Sequence, residues 1–151
     1  MTYLKAFLAG FVSTLTFHQG LLAILHAAGV TPRAPYAMTP TPPLGVPAVL
    51  SLAFWGGVWG ILLWLAIAGV RDSSLYWILA IVVGAVAPSL VALFVVLPLK
   101  GQPAAGGGNP SLIFGALLLN GAWGFGVALL MRLFGFRPRR SDRLFGPGAF
   151  S

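Results

Sequence analysis

Long apolar runs, broken by short polar or proline-rich segments, give the chain its pattern. No Asp, Glu, Lys or Arg occurs in 6–32, 34–70, 73–99 or 101–131. A hydrocarbon core of about 30 Å needs about 20 helical residues at about 1.5 Å each. The pattern therefore predicts an all-α integral membrane protein, a four-transmembrane-helix bundle with spans at about 4–28, 47–70, 75–99 and 111–134. Lipid-exposed strands would leave backbone groups unsatisfied, and a barrel would need alternating polar positions that these runs lack. One transmembrane domain is expected over 1–136, followed by a basic cytoplasmic tail over 137–151. Lys5 precedes an apolar run as in a secretory signal, but the run is long, holds His18 and Gln19, and ends without a small-x-small cleavage site, so a retained helix is expected.

Composition sharpens this picture. Of 151 residues, 7% are charged and 58% hydrophobic, against about 25% charged in soluble domains, and the mean hydropathy is +0.94. Too few charges exist to cover a water-exposed surface, which argues against a soluble enzyme. With four spans, Lys5, Arg71, Arg132, Arg137, Arg139, Arg140 and Arg143 share one side, while Arg33 and Lys100 lie on the other. Cations are retained on the cytoplasmic side, so both termini are expected there. Arg, Ala, Gly and Pro are frequent and Lys is rare, which suggests a GC-rich genome and a bacterial inner (plasma) membrane. The pI of 11.3 follows from this topology, and nucleic acid is not expected as a partner. Arg137, Arg139, Arg140 and Arg143 suit anionic lipid headgroups instead, each charge being worth about 1 kcal/mol near the surface.

The second span contains Gly56-Gly57-Val58-Trp59-Gly60 and the fourth Asn120-Gly121-Ala122-Trp123-Gly124. Each copy lies about ten residues below a proline-marked helix start, which suggests two parallel helical-hairpin repeats related by an axis along the membrane normal. The first and third spans show no convincing match to each other. Small residues let helix backbones approach where lipid offers no hydrophobic drive. Gly56, Gly57, Gly60, Gly121 and Gly124 are therefore expected at helix–helix seams.

No charge is expected at depth, and the only acids, Asp72 and Asp142, fall in cytoplasmic segments. Carboxylate-driven pumping and paired-carboxylate catalysis are disfavoured. Cysteine is absent, which removes thiol and Fe–S chemistry, and Gly106-Gly107-Gly108 lacks the Lys-Ser/Thr of a phosphate loop. The candidate midplane polar groups are His18, Gln19 and Asn120, with His26 a candidate on the outer side. On an ideal wheel Gln19 and His26 fall within about 20° of each other, with His18 at the edge of their stripe. Three roles compete for it: hydrogen bonding between helices, a site for a neutral solute or proton, and metal or haem ligation. His18 and His26, separated by about 12 Å of rise, cannot supply both axial ligands of one haem within a monomer, and no metal or cofactor is expected. The expected function is a non-enzymatic structural or accessory membrane component, a homo-oligomer or a subunit of a membrane complex. The alternative is a small transporter or channel for a neutral solute or proton.

Overall fold

The computed structural model describes residues 1–70 and 73–136. Among these, four helices are long and apolar enough to cross a membrane: α1 (Thr2–Ala27), α2 (Ala48–Ile67), α3 (Ser73–Leu99) and α4 (Pro110–Leu133). The chain is thus an all-α bundle. The expected tail arginines Arg137, Arg139, Arg140 and Arg143, together with the Arg71-Asp72 turn, lie outside the described residues.

Local chemistry sets the ends of the helices. Asn109 caps α4, its Oδ1 accepting from the Ser111 and Leu112 N–H groups, and Pro110 fills the first position, where no N–H is needed. Gly29 ends α1 in the left-handed region (φ 72°). There the Val30 N–H reaches back to the Leu25 carbonyl, and Gly101 and Gly135 end α3 and α4 through the same five-residue bond. Helix α2 stops at Ile67, earlier than the hydrophobic run implies: Ala68, Gly69 and Val70 continue the apolar composition without continuing the helix.

Two departures from regular helix were not expected. Helix α1 widens into a π turn at Thr14–His18 and α3 into another at Ala92–Val96. Such turns insert one extra residue and release a backbone carbonyl from its usual partner.

Glycines place the helices. A Cβ on Gly10 would strike the Gly56 carbonyl and come within 2.9 Å of Gly60 Cα; one on Gly60 would lie 2.5 Å from the Ala6 carbonyl oxygen. In the second hairpin, a Cβ on Gly84 would lie 2.7 Å from Gly124 Cα, and one on Gly124 would strike the Ala80 carbonyl. Each hairpin thus has Ala-x-x-x-Gly on its first helix against a glycine of the G-x-W-G segment on its second. Gly57 meets the Phe7 ring and Gly121 meets Ala85 and Ile81, so all five glycines singled out in the sequence face a neighbouring helix of the same chain. Between the hairpins, Trp64, Ile67, Tyr76, Trp123, Val127 and Met131 form the packed core.

The segment between α1 and α2 is ordered. Its strands β1 (Pro40–Thr41) and β2 (Val46–Pro47) pair antiparallel, and the Ala37 and Thr39 carbonyls accept the first N–H groups of α2.

Candidate functional site

Among the described residues, three arrangements of polar side chains bear on the candidate residues His18, Gln19 and Asn120 or lie beside them. The first joins the hairpins halfway along their length. Ser13 Oγ donates to the Trp123 carbonyl at 2.7 Å, and the Trp123 indole N–H donates to the Gly10 carbonyl at 3.0 Å. Thr14 Oγ1 donates to that same Gly10 oxygen at 2.9 Å. Helices α1 and α4 are therefore clasped in both directions, beside the π turn. Ser13, Thr14 and Trp123 are all buried, so each bond replaces what would otherwise be an unsatisfied polar group.

The second lies toward the loop end of α1. Gln19 is buried, and its Oε1 accepts the Tyr36 backbone N–H at 2.7 Å. That bond orients the amide, so Nε2 faces His18 Nδ1 at 3.3 Å. An amide nitrogen only donates; Nδ1 therefore accepts, and the proton of a neutral His18 ring sits on Nε2. The Tyr36 hydroxyl donates to the Leu15 carbonyl, within the π turn, at 3.0 Å. Tyr36 holds φ 52°, a left-handed conformation costing a non-glycine residue about 1–3 kcal/mol, and these two bonds hold it there. The proline-rich loop is thus latched onto α1 over the π turn. His26 is exposed, and its Nδ1 lies 3.1 Å from the Thr31 carbonyl. The two ends of the expected Gln19–His26 stripe serve different partners.

The third is in the second hairpin, where Asn120 Nδ2 donates to Ser89 Oγ at 2.9 Å. Of the three candidate midplane residues, the hydrogen bonds bring His18 and Gln19 together and pair Asn120 with α3 instead. Ser13, Thr14, Ser89 and Trp123 take part in the buried network. Along the sequence they are only scattered hydroxyls and a space-filling ring, because which helix each will meet is not written locally.

At the opposite end of the bundle, Lys5 Nζ donates to the Phe134 carbonyl at 3.0 Å, and Arg132 reaches Ser73 Oγ at 3.2 Å. The Arg132 guanidinium lies 4.8 Å and 4.9 Å from the ring centroids of Tyr76 and Trp77, a cation–π arrangement. Lys5 and Arg132, assigned to one side in the sequence, meet at the carboxyl end of α4, where both oppose the negative end of the helix dipole.

A cavity of about 200 Å³ opens between α2, α3 and α4, lined by Trp59, Leu62, Gly84, Ala87, Pro88 and Trp123 among others. No group of three or more His, Asp or Glu side chains converges among the described residues.

The loop latch makes a direct prediction. Gln19→Leu removes the acceptor of the Tyr36 N–H, a bond worth about 1 kcal/mol. Hydrogen exchange at the Tyr36 amide should rise roughly 5-fold while exchange in the α4 core is unchanged. Unaltered protection at Tyr36 would show that the loop is held by something other than the latch.

No family model, curated protein or solved structure matches this chain.

Proposed function

We propose that this chain is a multi-pass protein of a bacterial inner membrane, with both termini cytoplasmic. We read it as a non-catalytic structural or accessory component that self-associates or joins a larger membrane complex. The observation that carries this reading is how the polar groups at depth are used. Ser13, Thr14, Gln19, Ser89, Asn120 and Trp123 bond to backbone or to one another, as polar groups do when they hold helices together in lipid.

Membrane insertion is supported by where the apolar surface lies. Only 28–39% of the most apolar window of each long helix is buried inside the bundle, so most of that surface faces outward and needs a hydrocarbon solvent. The inward orientation of the termini rests on Lys5 and Arg132 at one end and on the cationic tail, Arg137, Arg139, Arg140 and Arg143, which suits anionic lipid. We further read the two hairpins as parallel repeats, on the matching Ala-x-x-x-Gly against glycine contacts of both.

The test compares wild type and His18→Leu in proteoliposomes. Background solute and proton flux in both forms, with lowered stability in the variant, is expected. Flux in the wild type that disappears in a folded His18→Leu variant would overturn the structural reading in favour of a transporter. Co-purification from native membranes should retain a second copy or a stable partner protein.

A further inference from the structure

Gln19 stands between two groups with opposite demands. The Tyr36 backbone N–H can only donate, so the atom that meets it at 2.7 Å is the Gln19 oxygen. The nitrogen of the same amide then faces His18 Nδ1 at 3.3 Å, and a nitrogen that carries two N–H groups needs an acceptor there. Neutral His18 supplies one. Ring, amide and loop thus form a chain of two hydrogen bonds, each of which can run in one direction only.

A proton on His18 Nδ1 reverses the first link. Two donors then face each other, and the only acceptor atom of the Gln19 side chain is already held by Tyr36. Turning the amide over would satisfy the ring but set Nε2 against the Tyr36 N–H. His18 and Tyr36 therefore compete for one oxygen, and a hydrogen bond from a charged donor is roughly twice as strong as a neutral one. Charge acts in the same sense. The Arg33 guanidinium, on the loop itself, bears on His18 electrostatically, so a cationic ring repels the segment it was latched to. The other titratable group that the loop brings here, the Tyr36 hydroxyl, is bonded to the Leu15 carbonyl. Helix α2 has no titratable side chain, and the single one on α4, Arg132, lies in its last turn at the opposite end of the bundle, so neither helix offsets the new charge.

We propose that the loop between α1 and α2 is a proton-sensitive strap, which neutral His18 keeps latched over the π turn and cationic His18 releases by taking the Gln19 oxygen. Tyr36 favours release once its N–H has lost that acceptor. Its φ of 52° is a strained conformation for a non-glycine residue, and the hydroxyl bond to Leu15 is then the one remaining side-chain tie that holds it. Release frees the Leu15 carbonyl and opens the loop end of α1. The device stands on the directions of two hydrogen bonds and is the same whether the chain is an accessory component or a transporter.

The test is an NMR titration of the full chain in nanodiscs, labelled at the ring carbons of its 2 His and the amide nitrogens of its 3 Tyr. A range from about pH 8 to about pH 4 brackets the ordinary histidine titration. As the His18 ring takes up its proton, the Tyr36 amide proton should move upfield with the same midpoint. Its exchange protection, corrected for the intrinsic pH dependence, should fall about 5-fold. His18→Asn puts an acceptor oxygen in the place of Nδ1 and does not titrate, so Tyr36 should stay protected throughout. Gln19→Leu should be released at both ends of the range and show no further change. A His18 ring that charges while Tyr36 stays protected, a Tyr36 transition that persists in His18→Asn, or a ring that stays neutral to the acid end would each overturn the proposal. Where a variant fails to fold by circular dichroism, the wild-type titration decides alone.

Discussion

Gly10→Ala should destabilise the bundle by about 3 kcal/mol, at the upper end of what overpacking costs, and Gly124→Ala should do nearly the same. In each case the added methyl meets backbone: the Gly56 carbonyl for Gly10, the Ala80 carbonyl for Gly124. A side chain can rotate away, but a helix backbone moves only if the whole helix moves. Gly20→Ala and Gly115→Ala are the matched controls, because a Cβ at either position meets nothing within 4 Å. They should be neutral or slightly stabilising, as alanine is the better helix former. Titration of helicity with SDS in mixed micelles measures all four. Equal midpoints for Gly10→Ala and Gly20→Ala would show that the close approach of α1 to α2 is not what holds the first hairpin.

The second large effect separates the tryptophans of the two G-x-W-G segments. Trp123 is buried, and both its indole and its backbone carbonyl are engaged by α1. Trp123→Ala should cost about 3–5 kcal/mol, as for other large core rings. Trp59→Ala should cost less than half as much, since Trp59 already borders a cavity and gives up no hydrogen bond. Trp123→Phe isolates the indole bond and should cost about 1 kcal/mol. The same titration reads all three, and a Trp59→Ala effect as large as that of Trp123→Ala would contradict the asymmetry between the two sides of the bundle.

Each apolar run is a long helix with ends within a few residues of the expected ones, because charges and helix-terminating Gly and Pro act locally. The glycines of G-x-W-G are legible in the chain as seams, since only a small residue permits contact between backbones. Their partners are not. Ala6 and Gly10 share a spacing with Ala80 and Gly84, and that spacing is visible in the sequence, but alanine and glycine are too common in apolar helices for it to stand out without the opposing helix. The prolines between α1 and α2 mark a stiff connection, and nothing near Tyr36 announces a bond to Gln19.

Composition and charge placement alone determined the number, length and order of the long apolar helices, because hydropathy and charge act residue by residue against a solvent. Only the tertiary structure decided which polar groups meet. It sent Asn120 to Ser89, Gln19 to Tyr36, and Ser13 and Trp123 to each other, and it left Trp59 bordering a cavity. Hydrogen bonds and close packing depend on distances between helices, and a periodicity of about 3.6 residues fixes a side chain's face while leaving open the neighbour that this face will meet.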